Sequence, residues 1–243
     1  MSRMPDLSDP RYLDEIGWFL YHERYERDKF RGSYDAERLA YSRLLLDEIV
    51  GYLGQDTRWI EGKTVVSIGC GCTADLAAFP AALKIAIDPL LYVYQKLGML
   101  LEDEVGSRTV YLSVSAEDLP LLDDYADLVI CRNALDHMPS PRLALKEMSR
   151  ILHTDGRLFV SVDTGGEPTP DEPTVFSVES LCALLGEHFE AAILTDKETP
   201  HSAGRLRSVR VVARKKHQAS RLLDKEEILR AYEGSLPQKV MEA

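Results

Sequence analysis

The chain has 243 residues, 45% hydrophobic and 28% charged, an ordinary balance for one globular α/β domain with room for extra helices. A formal charge of -11 argues against a nucleic-acid backbone or an anionic membrane surface as partner. No stretch approaches the ~20 apolar residues of a membrane helix, and Met1 to Pro10 has no apolar core, so the expectation is a cytoplasmic protein without a signal peptide.

Residues 9 to 30 read as a helix rich in aromatics, among them Tyr12, Trp18, Phe19, Tyr21, His22, Tyr25 and Phe30. Arg31-Gly32-Ser33 breaks it. Asp35 to Leu53 reads as a second amphipathic helix, with Gly54 beyond as a stop signal. From Thr64 the pattern alternates strand and helix, which implies a parallel sheet with right-handed crossovers. The strands expected are 64–68, 84–88, 109–114, 126–131 and 157–163. The helices between them are about 74–79, 90–103 and 140–152, with Pro141 suited to a first helical turn. Asp155-Gly156 is expected to turn the chain into the fifth strand.

Asp163 to Pro173 is a polar Gly/Pro-rich loop after a strand end, either a lid or a plain surface excursion. Ser177 to Glu187 reads as a helix capped by Ser177. Phe189–Thr195 and Leu206–Arg214 read as an antiparallel pair joined by a loop holding Pro200 and Gly204. Arg205, Arg207, Arg210 and Arg214 alternate with apolar residues, as on the wet face of an edge strand. Ala219 to Tyr232 is an amphipathic tail helix. Its stripe needs cover, from its own domain or from a second subunit of a homo-oligomer. The division expected is 1–58 for an N-terminal helical lid and substrate region, 59–216 for the cofactor-binding domain and 217–243 for the tail.

Four cysteines, Cys70, Cys72, Cys131 and Cys182, lack the spacing of a disulfide framework, so reduced thiols are expected. Cys70-x-Cys72 is too tight for a zinc pair, and no metal site is expected.

Lys63 to Leu76 carries the first chemistry. A β-branched run, Thr64-Val65-Val66-Ser67-Ile68, ends in Gly69-Cys70-Gly71, where missing side chains let backbone turn sharply or approach a ligand. Thr73 or Ala74 can start a helix beside it. Nineteen residues past Gly69, the next strand ends in Asp88, a carboxylate suited to a ribose diol. It is also placed to cap the helix starting near Leu90. Gly69-x-Gly71-x-x-Ala74 alone fits a nicotinamide cofactor as well as S-adenosylmethionine.

Ser113-Val114-Ser115-Ala116-Glu117-Asp118-Leu119-Pro120 leads to a strand ending Cys131-Arg132-Asn133-Ala134-Leu135-Asp136-His137. Ala144 to Leu152 and Asp155-Gly156-Arg157-Leu158 follow. In this order and spacing, from about Lys63 to Val162, the chain resembles the class I S-adenosylmethionine-dependent methyltransferases, most of all the small-molecule type 11 group. The resemblance implies a Rossmann-like three-layer α/β sandwich. Its sheet would be mostly parallel and seven-stranded with an antiparallel closing strand, with two N-terminal helices and an extra C-terminal one. The cofactor would be S-adenosyl-L-methionine, leaving as S-adenosyl-L-homocysteine. Gly69, Cys70 and Gly71 would approach its methionine part. Asp88 would bind both ribose hydroxyls, Pro89 would pack on adenine, and Ser115, Ala116 and Glu117 would lie along the adenine edge. Arg132 and Asn133 would lie beside methionine and sulfonium. The family usually carries an acid where Ser67 stands and a glycine where Thr73 stands.

Methyl transfer is an in-line displacement in which the protein aligns the partners and excludes water. His137, after a strand's C-terminal end, can act as a general base or simply line the site. Tyr21, His22, Tyr25 and Tyr34 can cover the substrate or serve as packing aromatics. The function expected is methyl transfer to a small-molecule oxygen, nitrogen or carbon nucleophile. The alternatives are an NAD(P)-dependent oxidoreductase and a non-catalytic cofactor-binding regulator.

Overall fold

The computed structural model describes residues 9–29, 34–72, 75–100, 109–201 and 204–216; within these, the side chains of residue 18, 21–29, 34–37, 193, 194, 196–201 and 204–206 fall outside the description. Helices α1 (Pro10–Lys29) and α2 (Tyr34–Tyr52) precede the sheet. Then come β1 (Thr64–Ile68), β2 (Leu83–Ile87), α3 (Leu91–Lys96), β3 (Thr109–Leu112), β4 (Ala126–Arg132), α4 (Pro141–Ile151), β5 (Leu152–Thr164), α5 (Val178–Leu185), β6 (Phe189–His201) and β7 (Gly204–Lys215).

The seven strands lie in the order β3-β2-β1-β4-β5-β7-β6. Strands β1 to β5 pair in parallel, and β7 runs antiparallel to both β5 and β6. Chain direction across the sheet reverses between β1 and β4, so a crevice opens beyond the ends of these two strands. The fold class expected from sequence is the one observed, a three-layer sandwich closed by an antiparallel strand.

Neighbouring strand residues face opposite layers, and the apolar runs feed both. Val66, Ile68, Val129 and Cys131 share one core with Ala144, Leu145 and Met148 of α4 and Leu181 of α5. Val65, Leu128, Ile130 and Phe159 share another with Leu45, Leu46, Ile49 and Val50 of α2. Helix α2 is therefore one layer of the sandwich. Helix α1 packs Tyr12, Ile16 and Phe19 against Cys72, Leu90 and Tyr94, which holds it over the crevice. Among the described residues no helix is long and apolar enough to cross a membrane.

Several expectations are corrected. Residues 75–78 form turns where the helix 74–79 was expected; Thr73 and Ala74 lie outside the described residues. The Ser42 hydroxyl of α2 donates to the Asp75 carbonyl at 2.6 Å and accepts from Ala78 N at 2.9 Å, and Pro80 offers no further donor. The helix 90–103 shortens to α3: Gly98, at φ +69°, ends it, with Met99 N bonded back to Tyr94 O at 2.9 Å. Residues 101–108 lie outside the described residues. Asp155-Gly156 sits inside β5, where pairing slips from Ala126↔Leu152 to Leu128↔Arg157. The loop with Pro200 and Gly204 closes into a hairpin, with Pro200 paired to Arg205. Strand β7 is interior rather than an edge. Its Val209, Val211 and Ala213 fill the core, and Arg210 on the other face reaches Glu48 of α2 at 2.5 Å. The tail helix lies outside the described residues.

Arg150, in the last turn of α4, fastens the loop beyond β3. Its guanidinium donates to the carbonyls of Leu119 (2.9 Å) and Leu121 (2.7 Å) and to the carboxylates of Glu147 (2.6 Å) and Asp123 (2.7 Å). That hydrogen-bonded guanidinium holds the Glu147 carboxyl below its ordinary 4.5. A depressed acid stabilises the fold above 4.5, and this contribution is lost as pH falls through the lowered value. Arg150→Ala should cost about 2 kcal/mol, lowering the melting temperature by roughly 4–8 °C near neutrality. Melting curves should also show a shallower loss of stability than the parent as pH falls below 4.5. An unchanged melting temperature would refute this role.

Candidate functional site

A cavity of about 660 Å³ opens at the crevice, within the range of small-molecule sites. Its floor is the glycine loop and its roof is α1. Gly69 N and Cys70 N both bond to Ile87 O, at 2.8 and 3.2 Å, tying the loop to the end of β2. Gly69 and Gly71 take φ of +69° and +55°. A Cβ on Gly69 would stand 2.3 Å from the Ala134 Cβ, and one on Gly71 would stand 2.8 Å from the Phe19 ring. No side chain fits at Gly69, and backbone forms the cradle.

Asp88 closes the loop from the side. Its Oδ2 accepts from Gly71 N at 2.9 Å and its Oδ1 from Leu90 N at 2.8 Å. The cap to Leu90 and the position beside the cavity therefore coexist. Each carboxylate oxygen has a second lone pair for a ligand hydroxyl. Burial holds the Asp88 carboxyl above its ordinary range against those two backbone bonds.

The opposite wall comes from the loop after β3 and the end of β4. Glu117 takes Ser140 N at 3.0 Å and the Ser115 hydroxyl, so its carboxylate links the 115–117 segment to the cap of α4. Asn133 sits at φ +44°, a conformation asparagine tolerates. Its backbone N donates to Ser161 O, and its Oδ1 accepts from the Ser161 hydroxyl, both at 2.8 Å. The Arg132 guanidinium lies 4.7 Å from the Tyr41 ring centroid, an α2 residue. Gly69, Cys70, Gly71, Asp88, Pro89, Ser115, Ala116, Glu117, Arg132, Asn133 and His137 all line this one cavity.

Tyr21, His22, Tyr25 and Tyr34 carry side chains outside the described residues. The face of α1 that does reach the cavity holds Arg11, Tyr12, Glu15 and Phe19. Phe19 packs edge-on against Tyr94, with ring centroids 5.4 Å apart. Tyr12, Glu15 and Phe19 are spaced i, i+3, i+7, so they share one face of the helix.

In the same cavity, His137 stands between two acids. Nδ1 is 3.5 Å from Glu15 Oε2, and Nε2 is 3.8 Å from Glu172 Oε1. Burial pushes the Glu15 carboxyl up to about 7 against the pull of His137, and the Asp136 carboxyl up to about 6. Glu172 belongs to the Gly/Pro-rich loop, which thus contributes to the site. Thr174 N bonds to Asp136 O at 3.2 Å and pins that loop to the end of β4.

The cysteines are free thiols. Burial drives Cys70 and Cys131 upward, so both stay protonated and weakly nucleophilic. The glycine cradle, the buried carboxylate and the cavity together fit a ribose-bearing cofactor.

Residues 66–160 match the family described as a methyltransferase domain. The chain is 26% identical over 203 residues to a ubiquinone biosynthesis O-methyltransferase of Nitrosomonas europaea, covering 81% of each chain. It is 27% identical over 139 residues to a tRNA U34 carboxymethyltransferase of Campylobacter hominis, covering 56% of this chain and 48% of that one. It spans 48–59% of the length of several other curated relatives. Among solved structures it superposes, with a TM-score of 0.54 at 19% identity, on a Burkholderia thailandensis 1,6-didemethyltoxoflavin-N1-methyltransferase holding 1,6-didemethyltoxoflavin and S-adenosylhomocysteine. That match covers 88% of this chain and 92% of the other.

Proposed function

The chain is a class I S-adenosylmethionine-dependent methyltransferase, and we propose that it methylates a small-molecule acceptor held in the chamber under α1. One observation carries this reading. The cofactor cradle and the end holding His137 belong to a single roofed cavity of about 660 Å³, sized for a cofactor with a small partner. The overall charge of -11 opposes a tRNA phosphate backbone.

When bound, S-adenosylmethionine supplies an electrophilic methyl group on a sulfonium sulfur. Gly69 and Gly71 let the chain's backbone approach its methionine part. Asp88 receives the ribose hydroxyls, with its carboxylate aimed by Gly71 N and Leu90 N. Pro89, Ser115 and Ala116 border the adenine, and Glu117 keeps that segment fastened to α4.

The family's usual acid is absent at Ser67, and the fold offers another. Asp75 is 4% exposed, lines the cavity, and has Oδ2 3.4 Å from the Ser67 hydroxyl. We assign it the role of charged partner for the cofactor's amino group. Arg132 and Asn133 border the transfer zone. At the acceptor end His137, flanked by Glu15 and Glu172, can take a proton from an incoming group or bind that group through a cation. Tyr12 and Phe19 exclude water.

Calorimetry with the purified chain should show saturable binding of S-adenosylmethionine and S-adenosylhomocysteine and none of NAD. Mass spectrometry should then find a 14 Da gain on a phenolic, amine or acidic-carbon metabolite and none on bulk tRNA. NAD binding without response to the methionine cofactors would overturn the reading. Methylation confined to RNA would overturn the acceptor class.

A further inference from the structure

We propose that Asp136, His137 and Glu172 form a divalent-cation site at the acceptor end of the cavity. One ligand atom from each lies within 4.8 Å of the other two. Donors about 2.0–2.4 Å from one ion stand up to ~4.8 Å apart across it, so small rotamer changes converge them.

Two features point to an ion rather than a loose group of acids. First, Asp136 is 6% exposed, and its Oδ1 has no hydrogen-bond partner among the described residues. A buried carboxylate oxygen left without a donor calls for a cation. Second, His137 is oriented as a ligand. Glu15 faces Nδ1 at 3.5 Å, while Nε2 turns toward Glu172. A carboxylate behind one imidazole nitrogen fixes the tautomer and frees the other nitrogen for metal. The donor set is one imidazole and two carboxylates. That donor set suits magnesium, manganese or another hard-to-borderline divalent ion.

The site rests on the methyltransferase reading only for its purpose. His137 and Glu172 line the cavity, so positions on the ion not taken by protein open toward the acceptor. A pair of neighbouring oxygens on one molecule, two adjacent hydroxyls or a hydroxyl beside a carbonyl, would occupy them. The acceptor class that follows is a chelating oxygen nucleophile. His137 then positions the acceptor through the ion and is not the general base.

The test is Mn2+ titration of the full-length chain, by electron paramagnetic resonance and calorimetry, without cofactor. One saturable site is expected. Glu172→Gln, at a partly exposed position, and His137→Gln should each weaken it at least tenfold, and Glu172→Gln should leave S-adenosylmethionine affinity and melting temperature unchanged. Absence of saturable Mn2+ binding would overturn the proposal, as would binding that both variants leave intact. Full methylation of the acceptor by chelator-treated, metal-free protein would also overturn it. Failure to bind S-adenosylmethionine would sink the methyltransferase reading instead, and the Mn2+ titration does not depend on it.

Discussion

Asp88→Ala should weaken S-adenosylmethionine binding by roughly 100-fold or more. The carboxylate makes two kinds of bond at once. It accepts from Gly71 N and Leu90 N, at 2.9 and 2.8 Å, and in the proposed role it also accepts the ribose hydroxyls. Hydrogen bonds to a charged group contribute ~1.5–3 kcal/mol each, and ~2.7 kcal/mol is already 100-fold. Alanine removes the ribose acceptor and releases the glycine loop together. Asp88→Asn keeps one acceptor oxygen and discards a buried charge, so about tenfold is expected, with a smaller change in melting temperature than alanine causes. The pH dependence has a definite sign. Burial holds this carboxyl above its ordinary 3.8, and protonation removes an acceptor from the ribose. Cofactor affinity should therefore fall on acidification, beginning above pH 3.8, and in Asp88→Asn this slope should be gone. Calorimetric titrations across that range measure both effects. Full affinity in Asp88→Ala would end the ribose assignment.

The residues expected to hold the cofactor line one cavity, and they were legible because their signals are local. A β-branched strand, two glycines and a carboxylate after the next strand are each a few residues long, and Gly69 N, Cys70 N and Gly71 N bond to the end of the neighbouring strand. The helix caps were equally legible. Ser177 accepts from Ser180 N at 3.1 Å, and Pro141 opens α4. What failed depends on contacts between distant segments. The expected helix after the glycine loop is diverted by Ser42, thirty-three residues upstream of Asp75. The arginines of β7 alternate as on an edge, but β6 returns outside them and Glu48 meets Arg210. The acceptor end was the least legible. Which face of α1 meets the cavity is decided by docking on Tyr94 and Cys72, so Tyr12, Glu15 and Phe19 gave no stronger signal than the aromatics after them. Glu172 comes thirty-five residues after His137 in an irregular loop, a separation that no spacing rule for metal ligands covers.

Among the described glycines Gly69→Ala should be the most damaging, and three glycines separate the reasons. Gly54 sits at φ +65° with nothing within 4 Å of an added Cβ. Gly54→Ala therefore measures conformational strain alone, about 1 kcal/mol and roughly 2–4 °C in melting temperature. Gly71 adds an obstacle, the Phe19 ring edge at 2.8 Å, but a ring on α1 can swing away. Gly71→Ala should lower stability only slightly more than Gly54→Ala. Its methyl points into the cavity roof, so its main effect should be on cofactor affinity. At Gly69 the obstacle is the Ala134 Cβ at 2.3 Å, an atom with no rotamer to change. Relief requires moving the backbone after β4 away from the end of β1. Asn133 N and its side chain hold that backbone to Ser161, and Gly69 N is itself held to Ile87 O. Strain and overpacking together should cost about 3 kcal/mol or more, some 6–12 °C, with cofactor binding lost at accessible concentrations. A second variant isolates the clash. Ala134→Gly removes the obstructing methyl, so Gly69→Ala in an Ala134→Gly background should recover most of the stability beyond the Gly54→Ala value. If the pair shows no such recovery in a double-mutant cycle, the Gly69–Ala134 approach is not what demands glycine at the floor of the cradle.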